Sequence, residues 1–517
     1  MRGWSLVVVL VLACSLVLLG LRWRPGDETR LPVGDQEIAW IHAATSGLIW
    51  DQFVRGVQRF EASEEGRRLG LSASYERANP EQTTAIPEIV LSRQGCSQRL
   101  HVRWYKLTSA TDADSWVRVF RARKQPPLAI IGGSSSDRAR DLSLALRRGW
   151  DHAETPPPVL CITTATADRV WVPEGPGSGR DVPLHSLYAG RTFRFCFTNS
   201  QMADALVGFL LDRPDLALPV PERLLAGMLA QTVAGQPLAA AAAGLASAVR
   251  PVLSLAWEDD PYSLDLAEHL RQFLERRTGW PVEEHRIAYS TGEVLRSNRP
   301  ESKALRAIAS DADTRLPNPP VILLPIGERP LRRVLRSLAA IDPRTASEAV
   351  VLTGDALSLD VVYRDRGVLW PLSELPFSLV FFAHEDPVGW PEQADAGDTD
   401  GNDPSATHDL LLNVRIVRLM TQAAWREAPS GHLALARSAD ELLDALRQYQ
   451  PALFDGDGNR LGTSGAYLIC LRPHRPGAGT AEATIQVWLG RLDATSDPQT
   501  QRWQWELVRQ LRVAYGG

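Results

Sequence analysis

The sequence predicts an α/β protein built from two units of parallel sheet and preceded by one N-terminal membrane-spanning segment. Three observations carry this. Short apolar runs alternate with longer amphipathic ones, the pattern of buried parallel strands joined by helices. That alternation restarts past Arg191, which implies a second unit, and 517 residues are far more than one core needs. The third is the stretch from 4 to 21, WSLVVVLVLACSLVLLGL, which carries no charge and is just long enough as a helix to cross a bilayer core of about 30 Å.

In the first unit the strands are Ile38 to Ala43, His101 to Leu107, Pro127 to Ile131 and Val159 to Thr163. The helical patterns Leu48 to Glu61, Asp112 to Arg123 and Asp137 to Arg148 follow the first three. VPEGPGSGRDVPL, from 172 to 184, reads as a surface loop because of its proline and glycine content. In the second unit Ala203 to Leu211 is helical, Val252 to Trp257 a strand and Ser263 to Arg277 an amphipathic helix. Val321 to Pro325, Ala349 to Leu352 and Phe377 to Phe382 are further strands, with a helix at Leu331 to Ala340. Residues 214 to 250 form an inserted helical hairpin, and 391 to 405 an acidic, glycine-containing loop. The chain closes with helices at Thr407 to Trp425 and Ala439 to Tyr449 and a ribbon, FDGDGNRLGTSGAYLICLRP, from 454 to 473.

Composition narrows the function. A net charge of −5, from 56 basic and 61 acidic residues without a dominant run, gives no electrostatic footprint for nucleic acid. A small molecule or a protein is the expected partner. The apolar stretch runs into Arg22, Trp23, Arg24 and Pro25 without a small-x-small cleavage site, so residues 1 to 24 read as an uncleaved signal anchor and 25 to 35 as a linker. The competing reading is a lipoprotein signal, with Leu12, Ala13 and an acylated Cys14. Cys96, Cys161, Cys196 and Cys470 are too scattered for a zinc site or a disulfide framework.

Several motifs, in one order, resemble the periplasmic binding protein type I family, the leucine/isoleucine/valine-binding proteins and the ligand-binding regions of receptors related to them. AIIGGSSSDRARDL is similar to the serine-rich turn after the third strand of lobe one, and CITTATADRV to the next strand and its threonine-bearing loop. RTFRFCFTNSQMADAL resembles the crossing into lobe two. LSLAWEDDPYSLDLAEHLRQFLERR, PPVILLPIGERPLRRVLRSLA and VVLTGDALS look like successive units of that lobe. THDLLLNVRIVRLM and ALFDGDGNRLGTSGAYLICL resemble the return to lobe one and the terminal ribbon. The likeness covers about 36 to 475; the insertions at about 170 to 190 and 214 to 250, and Ser263 where the family has glycine, depart from it.

The resemblance implies two Rossmann-like lobes joined by a hinge. Lobe 1 takes 36–197 and lobe 2 takes 198–385, while 386–475 holds the acidic loop and the return to lobe 1, and 476–517 is a C-terminal extension. It also implies a solute-binding protein outside the cytoplasm, serving branched-chain amino acid uptake through an ABC-type transporter or acting as a sensor, with no cofactor. By the family pattern Ser134, Ser135 and Ser136 hold a ligand carboxylate with Thr164 and Thr166. Tyr262 offers a ring or hydroxyl, and Asp355 pairs a ligand ammonium. The serine turn suits an anion on physical grounds, since small residues admit backbone N–H groups and a helix N-terminus follows. The same residues also suit ordinary turn and cap roles. Trp50, Trp257 and Asp260 are further candidates for the cleft, and His42 and His384 either reach it or are structural.

Other chemistry finds little support. Asp455, Asp457 and Asn459 have calcium-loop spacing but Arg460 stands where glycine is needed, so a β-turn is expected; Asp398, Asp400 and Asn402 have Asp403 at that position. There is no H-E-x-x-H, no G-x-S-x-G and no phosphate loop, so no enzyme is assembled. The alternative to a solute-binding protein is an envelope scaffold that keeps the fold without a ligand.

Overall fold

The computed structural model describes residues 31–76, 82–151, 154–175, 178–213, 252–287, 321–327, 349–357, 377–387, 407–427, 431–462, 465–473, 482–493 and 502–514, with Leu216, Leu331, Val334 and Leu335. The anchor at 4–21, the insertion at 214–250 apart from Leu216, and the acidic loop at 391–405 lie outside them. Among the described residues no helix is long and apolar enough to cross a membrane.

Apolar residues fill β1 (Gln36–Ala43), whose Ile38, Ala39, Trp40 and Ile41 are all buried, so the strand needs cover on both faces. It receives α1 (Gly47–Ala62) and the short α2 (Glu64–Arg68) next in the chain, then an antiparallel edge of β2 (Leu71–Glu76) and β3 (Glu88–Arg93). Next come β4 (Leu100–Leu107), α3 (Ala113–Arg121), β5 (Ala129–Gly132), α4 (Ser136–Trp150) and β6 (Val159–Ile162). A hairpin of β7 (Arg169–Gly175) and β8 (Ser178–Pro183) precedes β9 (Thr192–Arg194). The sheet order is β2-β3-β4-β1-β5-β6-β9, with β4, β1, β5, β6 and β9 mutually parallel. One face carries a ring cluster in which Trp50 stacks on Trp104 at 5.7 Å and Trp40 meets Trp104 edge-on at 5.4 Å.

The second sheet follows the same winding. α5 (Asn199–Asp212) leads to β10 (Val252–Trp257), α6 (Pro261–Thr278), β11 (Val282–Ile287), β12 (Val321–Leu323), β13 (Val350–Leu352) and β14 (Ser378–Ala383). α7 (Thr407–Ala424) and α8 (Ala439–Leu453), with the small pair β15 (Trp425–Glu427) and β16 (Leu433–Leu435) between them, pack on the ring-cluster face of the first sheet. β17 (Ala466–Pro473), β18 (Glu482–Leu492) and β19 (Trp503–Ala514) complete the second sheet, ordered β11-β10-β12-β13-β14-β17-β18-β19.

Two departures from the sequence reading have physical causes. The stretch read as a loop at 172–184 is mostly the β7–β8 hairpin, whose alternating Val170, Val172 and Val182 pack against the α4 side of the sheet. The sequence reading returns all of 386–475 to lobe 1, whereas the structure divides it. β17 pairs antiparallel with β14, so the second half of the ribbon, with β18 and β19 after it, belongs to lobe 2, while Phe454 and Asn459 stay with lobe 1. The paired strands are separated in sequence by α7 and α8, which pack on lobe 1, and the apolar run LICL fits either sheet.

A belt of charge is buried at the N-terminal ends of β1 and β4. Glu37 accepts hydrogen bonds from Arg103 at 3.2 Å, Tyr105 at 2.8 Å and Arg123 at 2.9 Å. His101 lies between Glu88 at 2.8 Å and Asp35 at 2.9 Å. Burial disfavours the charged ring, but the hydrogen bonds to Glu88 and Asp35 outweigh it and raise the His101 pKa. The same contacts hold Asp35 and Glu88 below the ordinary carboxylate range in spite of burial. A raised histidine pKa contributes stability that is complete below its unfolded value, about 6.5, and is lost as pH rises through the folded value. Chemical denaturation across pH tests this: the wild-type midpoint is expected to fall as pH goes from about 6 to about 9, with a flatter profile in His101→Gln.

Candidate functional site

The site lies where both sheets change winding direction. In each, the first strand of the unit, β1 or β10, is flanked by strands whose connections run opposite ways, and crevices open at the carboxyl ends there. β5 ends at Gly132, and Gly133 follows at φ 72°, a left-handed conformation that turns the chain into Ser134 and Ser135 at the head of α4. β6 delivers the loop from Thr163 to Asp168 beside it.

These two loops are laced together. Thr164 Oγ1 donates to the Ser134 carbonyl at 3.1 Å, and the Ala167 N–H donates to Ser136 Oγ at 3.2 Å. Ser135 Oγ donates to Asp137 at 2.5 Å, and Arg138 reaches Ser134 Oγ at 3.3 Å. Ser134, Ser135 and Thr164 are half-buried, while Ser136 and Thr166 are buried. Thr166 Oγ1 makes no hydrogen bond. A cavity of about 320 Å³ opens from this edge between α3 and α4, touching Ile41, Leu107, Thr108, Gly133, Arg138 and Leu142.

On the second lobe, Asp260 caps α6 by accepting the Tyr262 N–H at 3.1 Å, and Pro261 preorganises the first turn. The Tyr262 hydroxyl is buried beside Gly354 and Asp355; burial first, then the Asp355 charge, raises its pKa. β13 presents Gly354 and Asp355. A Cβ at Gly354 would collide with the Tyr262 hydroxyl and Leu266, so glycine is what admits the ring. Asp355 accepts from His384 Nε2 at 2.8 Å, and the Phe197 N–H donates to His384 Nδ1 at 3.2 Å. These bonds assign the proton to Nε2 in the neutral ring.

α4 and α6 meet across the lobes. Burial, with the charges of Asp137 in lobe 1 and Asp259 beside it, pushes Asp260 up to about 6. Ser134, Ser135 and Thr164 therefore share one edge of lobe 1, Tyr262 and Asp355 share one edge of lobe 2, and the helix heads bring the edges together. Trp50 and Trp257 are buried core residues. His42 is buried against Trp40, ring centroids 3.8 Å apart, and burial, with Arg138, lowers its pKa to about 3. Asp455 accepts from the N–H groups of Asp457 and Asn459 at 3.0 and 2.8 Å, the turn expected there. Asp398, Asp400 and Asn402 lie outside the described residues.

Sequence reasoning expected a hinge and placed its first crossing in RTFRFCFTNSQMADAL, but missed the side chains that tie the crossings together. Past β9 the chain crosses through Phe195, Cys196 and Phe197, past β14 through His384 and Glu385, and past α8 through Arg460. Arg460 donates to Glu385 at 2.8 Å and to the Phe195 carbonyl at 3.4 Å, and its guanidinium lies 4.2 Å from the Phe197 ring centre. Arg415 of α7 shares that Glu385 oxygen at 2.7 Å and donates through Nη2 to the other oxygen at 3.0 Å. Gly458, at φ 84°, accepts the Arg194 N–H on its carbonyl oxygen at 2.8 Å, and a side chain there would strike the Thr192 carbonyl.

With this geometry in view, solved structures supply a comparison. A leucine-, isoleucine-, valine-, threonine- and alanine-binding protein from Brucella ovis, in a closed conformation, superposes with a TM-score of 0.50 at 10% identity, over 92% of this chain and 95% of that one. The chain has the periplasmic binding protein type I fold. A solute-binding protein from R. palustris in complex with 4-hydroxybenzoate gives a TM-score of 0.48 at 10% identity, over 92% and 97% of the two chains. A branched-chain amino acid transporter substrate-binding protein from Streptococcus pneumoniae, in complex with isoleucine, gives 0.47 at 11%, over 87% and 99%. No protein-family model matches the chain, and the curated proteins contain no match.

Gly354→Ala tests the lobe 2 half directly. Forcing Tyr262 out of its slot is expected to cost about 1–3 kcal/mol of stability by overpacking, read from urea denaturation, whereas Gly327→Ala, with open space at its Cβ, stays near wild type.

Proposed function

We propose that this chain is an extracytoplasmic solute-binding protein, tethered by the helix at 4–21, that closes two lobes around a small polar carboxylate such as an amino acid. The closed form is what an ABC-type transporter or a sensor partner reads; the chain itself catalyses nothing. What supports this reading is the contact of α4 with α6 across the lobes, with Asp137 and Asp260 near each other at the two helix heads, each head next to a predicted half-site, Ser134, Ser135 and Thr164 on one side and Tyr262 with Asp355 on the other. Helix heads present unpaired N–H groups and the positive end of a dipole, which favour a carboxylate. Ser136 and Thr166 line the same loops from beneath.

A second reading, an envelope scaffold without a ligand, draws on one specific feature. Asp355, the residue the family pattern gives to a ligand ammonium, already receives the His384 N–H, and His384 is fixed by the hinge. A carboxylate oxygen accepts more than one hydrogen bond, so Asp355 retains capacity for a ligand.

Thermal unfolding of the full chain with the common amino acids and small carboxylic acids, each added singly, separates the two. Ligand at about 100 times its Kd adds about 2.7 kcal/mol to the state that binds it. A rise in Tm with at least one compound, lost in Ser135→Ala combined with Thr164→Val, supports solute binding. No shift with any compound favours the scaffold.

A further inference from the structure

Next to the predicted site lies a cluster that the ligand reading does not use. Asp265, one turn into α6 of lobe 2, is nearly buried and accepts the backbone N–H of Asp168 at 2.8 Å and of Arg169 at 3.1 Å, both in lobe 1. It also takes the Asn199 side-chain N–H at 2.9 Å. In return, Asp168 accepts the Ser200 N–H of α5 at 2.8 Å and pairs with His269 Nε2 at 3.3 Å. Just upstream, the Thr166 carbonyl accepts from the Asn199 N–H at 2.7 Å and from Arg194 at 3.3 Å. The loop bearing Thr164 and Thr166 is thus held by lobe 2 as well as by its own lobe. The three side chains lie close enough to share a metal ion, but both Asp265 oxygens and Asp168 Oδ2 already face N–H donors, which is the environment of a hydrogen-bonded latch.

We infer that Asp265 and His269 are positioning residues for the solute site: they fasten the Thr164 to Arg169 loop of lobe 1 onto lobe 2, so that lobe closure and the shape of the loop change together. This deepens the solute-binding reading and rests on it for the role of the loop, though the latch itself is read without any solute. Two consecutive amides on one carboxylate fix the backbone at Asp168, and that residue's carboxylate fixes the head of α5. Opening the lobes breaks the Asp265 bonds and the His269 pair together.

Charge gives the latch a pH signature. The charged and titratable groups around it are Asp265 and Glu268 on α6, Asp168 and Arg169 on the loop, and Arg194 on the crossing strand; α5 contributes N–H groups. Burial, then the Asp168 charge, pushes Asp265 up to about 6. His269 is also raised: burial opposes its charge, but the hydrogen bond to Asp168 and the charges of Asp265, Asp168 and Glu268 prevail. Asp168 is lowered, because His269 and Arg194 outweigh burial, so it titrates below the ordinary aspartate value of about 3.9. Groups whose pKa is raised on latching take up protons when the latch forms, so latching strengthens as pH falls from about 8 to about 6.

Amide hydrogen exchange of the full chain, without added solute and corrected for the intrinsic pH dependence of exchange, tests this. In the wild type, protection of the Asp168, Arg169 and Ser200 amides is expected to rise from pH about 8 to about 6. Asp265→Ala is expected to speed exchange at Asp168 and Arg169 at least about tenfold, as loss of a charge-assisted hydrogen bond implies. His269→Gln is expected to flatten the pH profile while the fold is retained, and Asp114→Asn, on an exposed pair, to match the wild type. Should Asp265→Ala unfold, which exchange of the β1 amides reveals, His269→Gln decides alone. Wild-type protection and pH slope in His269→Gln, or unchanged exchange at Asp168 and Arg169 in a folded Asp265→Ala, would overturn the inference. Because no solute is present, a failed solute screen leaves this outcome standing on its own.

Discussion

The three segments that cross between the lobes are tied together by one buried ion pair, Arg460 with Glu385. Each residue sits on a different crossing segment, and the guanidinium lies on Phe197 and bonds the Phe195 carbonyl of the third. Burial lowers the Arg460 pKa, to about 10, which is still high enough to keep it charged near neutrality. A buried pair of this kind adds little net stability, because desolvation consumes most of the attraction. What it does impose is geometry. An unpaired charge there costs several kcal/mol, so the crossing segments are held in register.

That constraint explains why the candidate site is where it is. The first segment places Phe197 under His384, the second carries His384 to Asp355, and α6 sets Tyr262 against Gly354. On the other side the serine and threonine loops are tied to each other by backbone-directed bonds and to lobe 2 through Asp168 and Asp265. The polar groups that would meet a solute are therefore positioned from both lobes and from the hinge at once, as a cleft that recognises a ligand by closing requires.

The sequence disclosed the parts of this that local physics dictates. β1, β5, β6 and β10 were legible as apolar runs, α4 and α6 as amphipathic patterns after polar caps, and the turn at Asp455 from its Asx and glycine spacing. β2, β3 and β11 were not, because edge strands such as LSASYE and VEEHRI mix polar and apolar residues without a decisive period. The assignment of β17 to lobe 2 depends on a pairing with β14 far away in sequence, which no window contains. The same limit hid the partners at the site. Asp355 was visible as a residue after a strand, but its bond to His384 and the latch of Asp265 on Asp168 exist only once the two sheets face each other.

The central claim, that this fold still closes on a small solute, is tested most directly by native mass spectrometry of the full chain purified gently from the cells that make it. The account predicts an added small-molecule mass that leaves on denaturation and is absent from a variant carrying Ser135→Ala and Thr164→Val. A bare polypeptide mass, with no added carboxylate or amino acid retained when supplied in excess, would contradict it.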